Sequence, residues 1–365
     1  MKNTFGTNLT VTLFGESHGE CIGAVVDGLA PGIEVDLDFI SSQLAKRRPS
    51  GVTDTARREQ DDFKIVSGVF QGKTTGTPLC FIIENKDTKS GDYQKTYGMA
   101  RPSHADYTAF IKYHGFEDYR GGGHFSGRIT ASLVGVGAIL ISALKKLGVT
   151  IGTHILSCAG VEDRAFGDHI KDIESLANLN FPVLDQTAEQ KMIEKITDAK
   201  NNLDSVGGIT QTAVCGMPAG VGEPWFDTIE GILSHALFSI GGIKGVEFGL
   251  GFGFADKKAS QVNDKFFLEN GVVKTLTNNN GGINGGISNG MPLTFNCAIK
   301  PTPSISQEQN TIDFVKGENS VLKIQGRHDP AIIRRVCPVI NSVVAIALVD
   351  MLSGRYGTDF LTKGF

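Results

Sequence analysis

Strands joined by tight turns, and helices too apolar to lie on a surface, mark this sequence as a mixed α and β chain. Leu9 to Phe14 alternates polar and apolar residues and Ile22 to Val26 reads as a second strand, with the tight connection Gly15-Glu16-Ser17-His18-Gly19 between them. Ile129 to Leu147 is apolar nearly all round, carries the small residues Ala131, Gly135, Gly137 and Ala138, and closes with Lys145, Lys146 and Gly148. Such a helix belongs between layers. Gly135 and Gly137 each cost about 1 kcal/mol against alanine in a helix, so close packing against another element is the expected compensation.

With 365 residues, 40% of them apolar, the chain can build two ordinary domains or one large one. A net charge of −4 provides no global basic field for nucleic acid, so any positive patch is local and small anions are the expected partners. Glycines gather at 121–123, 241–253 and 281–290, which assigns them to particular loops. The six cysteines are far apart and lack C-x-x-C or zinc-like His spacing, as expected of a reduced, cytoplasmic chain without a metal. The first residues contain no apolar signal core and no run of eighteen apolar residues occurs, so neither export nor a membrane span is expected.

Asp38 is placed to cap a helix in which Phe39, Ile40 and Leu44 share a face, with Pro49 ending it. Phe63 to Val69 and Leu79 to Ile83 read as strands joined by a Gly/Thr turn ending at Pro78. The stretch Gly68 to Thr74 is one residue short of a phosphate-binding P-loop and is rejected as one; no G-x-G-x-x-G occurs either, which argues against a Rossmann cofactor site. After a strand at 150–156, a polar connection leads to a helix at about 187–202 with capping-box spacing at Thr187 and Gln190. Gly207 to Val214 is a strand, and Asp227 and Glu230 repeat the capping spacing before a helix that stops at Gly241-Gly242. His235 on that helix reads as a surface or packed residue. Asn278 to Gly290 is either a ligand-covering loop or plain disorder. Leu293 to Ala298 is a strand, and a final long apolar helix is kinked or interrupted at Pro338.

The residues with chemistry concentrate in Arg101 to Arg128, where His104, His124, Arg120, Asp106, Asp118 and a triple glycine precede the long apolar helix. Glycines let backbone approach a ligand, and free N–H groups at a helix start suit an anion drawn by Arg120 and Arg128. A solvated surface loop is the alternative. Arg47 and Arg48, in a last helical turn, fit either the macrodipole or carboxylate and phosphate recognition, and Arg57 and Arg58 favour the second. Lys300-Pro301-Thr302-Pro303-Ser304 offers one cation and two hydroxyls on a stiff frame, and Arg327-His328-Asp329 forms a third polar cluster before a helix.

Taken in order, G-E-S-H-G, S-G-V-F-x-G-K-T-T-G-T-P, R-P-S-H-A-D, R-G-G-G, G-I-x-G-G-I-S-x-G, K-P-T-P-S-I and G-R-H-D-P resemble the chorismate synthase family from residue 15 to 330. The resemblance implies one domain over 1–365, an α+β fold with helices sandwiched between mainly antiparallel sheets, and a homotetramer. It implies conversion of 5-enolpyruvylshikimate 3-phosphate to chorismate and phosphate, the last shikimate-pathway step on the way to aromatic amino acids, with reduced FMN and no net redox change. By motif match, His18 protonates the leaving phosphate, His104 serves the flavin, Asp329 lies near its N(5), and Ser17 and Ser126 are hydrogen-bonding partners. Arg47, Arg48, Arg101, Arg128 and Arg327 would hold substrate anions or the FMN phosphate. Lys300, Pro301, Thr302, Pro303, Ser304, Gly285, Gly242, His124, Phe125 and Ser126 match flavin-contact positions.

The sequence departs from the common family pattern at His124 and Phe125, where arginine and serine are usual, which puts side-chain contacts there in question but not backbone ones. Gly241-Gly242 replaces a common Asn-Ala, and Thr53 a frequent arginine. With no dinucleotide fingerprint, the expected reductant of the flavin is external, an NADPH-driven reductase or dithionite. The rivals are another flavin or phosphosugar enzyme, which need not keep His18, His104 and Asp329 together, and a non-catalytic anion- or RNA-binding module with steep salt dependence.

Overall fold

The computed structural model describes residues 2–51, 53–54, 60–86, 97–324 and 329–365. Two five-stranded antiparallel sheets enclose a layer of helices. The first runs in the order Thr4–Phe5, Thr10–Gly15, Cys21–Asp27, Leu79–Glu84, Phe63–Ser67, and the second Ile243–Phe248, Leu293–Ile299, Gly208–Cys215, Thr150–Cys158, Val161–Glu162. The expected hairpin is in register, with Phe14 opposite Gly23 and Gly15 opposite Ile22, so the Ser17-His18 turn projects from one end of the first sheet.

Helix Thr130–Lys146 lies against strands Cys21–Asp27 and Leu79–Glu84 on one side and against helix Ile333–Tyr356 on the other; the latter covers strands Thr150–Cys158 and Gly208–Cys215. The two glycines expected to need close packing have it on both sides. A β-carbon at Gly135 would come within 2.1 Å of the Phe81 ring, and one at Gly137 within 2.2 Å of Ser342 Cβ. By length and apolarity both helices could cross a membrane, but most of each is buried inside the sandwich. All six cysteines are free thiols, and burial pushes Cys297 and Cys337 up to about 12.

Several local expectations need correction. Asp36, not Asp38, caps helix Leu37–Arg47, accepting from Phe39 N at 2.9 Å. Asp185, two places earlier than Thr187, caps Gln186–Asn201, and Thr228, one place later than Asp227, caps Ile229–Phe238, because each holds the non-helical backbone an N-cap needs and accepts from an amide of the first turn. The strand from Phe63 stops at Ser67, since Gly68 (φ 83°) breaks it before a short Val69–Phe70/Lys73–Thr74 hairpin. The polar connection after 156 contains a helix, His169–Leu176, capped by Asp168. Helix Ile333–Tyr356 continues through Pro338 without interruption. Asn278 to Gly290 is ordered: Asp264 accepts from the backbone N–H groups of Asn279 and Asn280, both at 2.8 Å, and Ile283–Asn284 pairs with Ile287–Ser288. His235 packs edge-on against Phe5.

The beginning and end of the fold are tied by one carboxylate. Asp350, buried on the C-terminal helix, accepts from the backbone N–H groups of Thr7 (3.0 Å), Asn8 (2.6 Å) and Leu9 (3.0 Å).

Candidate active site

The triple glycine draws two histidines from different parts of the chain to one place. Gly121, Gly122 and Gly123 all have positive φ (62°, 85° and 53°), open to glycine and strained for other residues. Their backbone passes between the two rings. A β-carbon at Gly121 would sit 2.4 Å from His18 Cδ2 and 3.0 Å from Ser17 Oγ, and one at Gly122 would sit 3.4 Å from His104 Cε1. Ser17 donates its N–H to Gly123 O at 3.1 Å, locking the hairpin turn to the glycine loop, and both Ser17 and His18 are buried. His124 strengthens that lock through Nδ1, 2.8 Å from Gly15 O, while Phe125 is exposed with its ring edge toward Tyr113.

His104 stands in a compact polar group. Asp106 Oδ1 lies 2.8 Å from His104 Nδ1, and Arg101 holds the same carboxylate through Nε (2.8 Å) and Nη2 (2.6 Å). Burial opposes the charge on Asp106, but the hydrogen bonds from Arg101 and His104 outweigh it and hold the carboxyl far below the ordinary range. Arg120 is engaged elsewhere, bidentate on Asp118 with both contacts at 2.8 Å, so it does not guard the helix start as the sequence implied.

Where the chain runs on from the triple glycine toward helix Thr130–Lys146 lies a cleft of about 200 Å³ lined by Arg47, Ser126, Arg128, Gly241, Asp329 and Arg335 among others. Ser126 accepts from Arg128 N at 3.3 Å as it starts the turn that leads into helix Thr130–Lys146. Arg47 and Arg128 share the buried carboxylate of Asp61, with Arg47 Nη2 at 3.0 Å, and Arg335 pairs with Asp329. Burial and the neighbouring guanidiniums of Arg128 and Arg335 work against the charge of Arg47, and Asp61 offsets part of this. Burial would raise the Asp61 carboxyl, yet Arg47 and Arg128 hold it below its ordinary value. Among the described residues, three guanidiniums face these two carboxylates, a balance that suits an added anion. Asn85 links this cleft to the histidines: its Oδ1 accepts from Arg128 Nε at 3.1 Å, and its amide donates to Glu16 O and Gly19 O, both at 2.9 Å, on either side of Ser17 and His18.

The second sheet delivers the lysine-proline segment. Lys300 follows strand Leu293–Ile299, receives register from Gly242 O (2.9 Å to its N), and donates Nζ to Ser103 O at 2.6 Å, next to His104. Burial, then Lys244, lowers its pKa. Thr302 O accepts from Ser205, whereas Thr302 Oγ1 and Arg47 Nε are buried with no hydrogen-bond partner among the described residues. Pro301 is exposed and Pro303 and Ser304 half-buried on the same segment.

Other expected residues lie apart. Arg48 lines a second hollow with Ser41, Asp61 and Asp62 and is not among the residues lining the cleft. Gly285 (φ 63°) is at the exposed tip of its hairpin, where a β-carbon would meet nothing within 4 Å, and the adjoining Gly286 is tied to Ile229. Arg327, like Arg57 and Arg58, lies outside the described residues. Sequence reasoning missed Asp61, Asn85 and Arg335. Only Arg335 left a trace, as a cation in the first turn of a helix, where the macrodipole disfavours it unless a carboxylate is near.

Residues 9–353 match the family model described as chorismate synthase. The chain belongs to the chorismate synthase family. Chorismate synthase of Thermococcus kodakarensis is 44% identical over 358 residues, covering 98% of this chain and 99% of that protein. Those of Dehalococcoides mccartyi (42% over 355 residues, 96% of each chain) and Methanococcoides burtonii (41% over 365 residues, 99% of each) are similarly close. A crystal structure of chorismate synthase aligns with a TM-score of 0.78 at 26% identity, over 99% of this chain and 97% of the other. The protein is therefore an enzyme with the α+β sandwich of chorismate synthases, and a lyase.

Proposed function

We propose that this member of the chorismate synthase family removes phosphate from 5-enolpyruvylshikimate 3-phosphate by anti-1,4-elimination, giving chorismate for aromatic amino acids, in the cytoplasm and with reduced FMN. The observation that carries the reading is the convergence of His18 and His104 on the triple glycine, from which the chain runs on to a cleft lined by three guanidiniums. A substrate with two carboxylates and a phosphate suits that cleft, and the two imidazoles at the glycine loop can hold or deliver a proton.

The residues present also fit a flavin phosphate and ring. Thr302 Oγ1 and Arg47 Nε are buried donors awaiting an acceptor, and Gly241 leaves its β-carbon position open beside the cleft. Lys300, Thr302, Ser304 and the Gly241-Gly242 turn, with backbone groups of His124 and Phe125, would hold the cofactor. When bound, reduced FMN supplies electron density as phosphate leaves and recovers it as hydrogen departs, so no net redox change results. The chain's own residues do the rest. Arg47, Arg128 and Arg335 orient the anionic groups, and His18 delivers a proton to the leaving phosphate. His104 manages the proton on the flavin side, and Asp329 lies across the cleft, held by Arg335.

We further propose a homotetramer with one domain per chain and an external flavin reductant. Anaerobic incubation of the protein with the enolpyruvyl substrate and reduced FMN should yield chorismate and phosphate in equal amounts. Phosphate release without chorismate, or no reaction, would sink the reading.

A further inference from the structure

Arg101 carries the expectation of a substrate ligand, yet its guanidinium is turned inward. Nε and Nη2 engage the two oxygens of Asp106 at 2.8 and 2.6 Å, and the Arg101 backbone N–H adds a third donor to Oδ2 at 3.0 Å. Asp106 Oδ1 also faces His104 Nδ1 at 2.8 Å, and Arg101 Nη2 lies 3.0 Å from the same nitrogen. The three side chains are about equally sheltered, near one-fifth exposed.

Proton accounting fixes the arrangement. Arg101 Nη2 can only donate and would suit a bare Nδ1, but a bare Nδ1 would then face an Asp106 oxygen at 2.8 Å, two acceptors with no proton between them, whereas an Nδ1–H meets only the longer 3.0 Å contact with Nη2. An ionised Asp106 is an acceptor only. The proton between Asp106 and the ring therefore belongs to His104 Nδ1, in the neutral imidazole as well as in the imidazolium, and Nε2 is the nitrogen that gains and loses a proton. Nε2 is on the side of the glycine loop, 3.8 Å from where a β-carbon of Gly122 would stand. The backbone is bent to allow this: Ser103, just before His104, has φ 59° and is held by Lys300 Nζ.

We propose that Asp106 and Arg101 form a fixed couple that locks His104 in the Nδ1–H tautomer with Nε2 aimed at the reaction space. Both are positioning residues, and Arg101 serves this couple instead of binding substrate. The proposal rests on the reading of His104 as a proton-transfer group, but its main test does not depend on turnover.

The test is ¹⁵N NMR of the full-length protein labelled in histidine, at a pH where the ring is neutral, with the His104 signals assigned by their loss in His104→Gln. In the wild type Nδ1 should show as protonated and Nε2 as bare. In Asp106→Ala the two nitrogens should move toward a mixture of tautomers. Asp106→Asn, nearly isosteric, covers the case in which Asp106→Ala does not fold; it should lower kcat by about 10²-fold while leaving KM for the substrate within about threefold. Arg101→Lys, which keeps a cation on Asp106, should retain more kcat than Arg101→Ala, again with little change in KM. A wild-type His104 protonated on Nε2, or a tautomer unmoved in Asp106→Ala, overturns the lock. A large rise in KM with unchanged kcat in Arg101→Ala returns Arg101 to substrate binding. If the wild type makes no chorismate while its tautomer is as stated, the lock stands and the functional reading fails.

Discussion

The backbone of Gly121 lies against the imidazole of His18, close enough that a β-carbon there would come within 2.4 Å of the ring. Gly121→Ala should therefore displace His18 as well as strain a backbone at φ 62°. Turnover should fall by about 10²-fold, the lower range for a general acid. Steady-state kinetics with reduced FMN measures it, and near-normal kcat would show that the His18 position is not critical.

His18→Ala and His104→Ala should each fold and bind FMN but lose about 10² to 10⁴-fold in kcat. Flavin titration and single-turnover assays separate the two properties. Full activity in either variant removes that histidine from the chemistry.

Asp61 is the counter-charge for two buried guanidiniums, and replacing it with alanine removes the carboxylate they share. A loss of about 3 to 5 kcal/mol in urea unfolding is expected. The pH sign follows from its depressed folded-state pKa, shared with Asp106. Each contributes stability that is present above the unfolded carboxyl value of about 4 and is lost as pH falls toward the folded value. Wild-type stability should decline below about pH 4, with a smaller decline in Asp61→Asn, and equal acid sensitivity in the two would contradict the assignment.

The guanidiniums of Arg47, Arg128 and Arg335 should make inorganic phosphate a competitive inhibitor and a thermal stabiliser. At phosphate one hundred times its dissociation constant the gain is about 2.7 kcal/mol. Differential scanning fluorimetry at constant ionic strength reads this directly. Chloride matching phosphate in effect would show that only general screening is at work.

The enzyme should be unable to reduce its own flavin. Oxidised FMN, substrate and NADPH under anaerobic conditions should give no chorismate, whereas dithionite or a separate reductase should start the reaction. Product with NADPH alone, in a preparation free of contaminating reductase, would reveal a dinucleotide site.

Elements with strong periodicity were legible because their burial is simple. Leu9 to Phe14 alternates and Ile22 to Val26 is a short apolar run, both found in strands, and the close contacts of Gly135 and Gly137 follow from a helix with no polar face. Caps were misread by one or two places because Asp36 and Asp38, or Asp227 and Thr228, are chemically equivalent until backbone angles choose between them. In the site, histidines and glycines announced themselves. Asp61 and Asn85 did not, because a carboxylate or amide in a polar stretch has no pattern, and its importance comes from arginines brought to it by folding. Arg101 shows the converse: its type pointed to an anion, and the nearest anion was Asp106.

Asp350 sets a condition on timing. Its carboxylate receives three backbone amides from residues 7 to 9, so the turn leading into the first sheet is satisfied only after some 340 further residues have been made. Asp329 and Arg335 reach the cleft beside Ser126 and Arg128 from far along the chain. A growing polypeptide at the ribosome thus has no working pocket, and closing such distant contacts is slow. Premature termination anywhere before this helix should leave a product without the residues that complete the cleft.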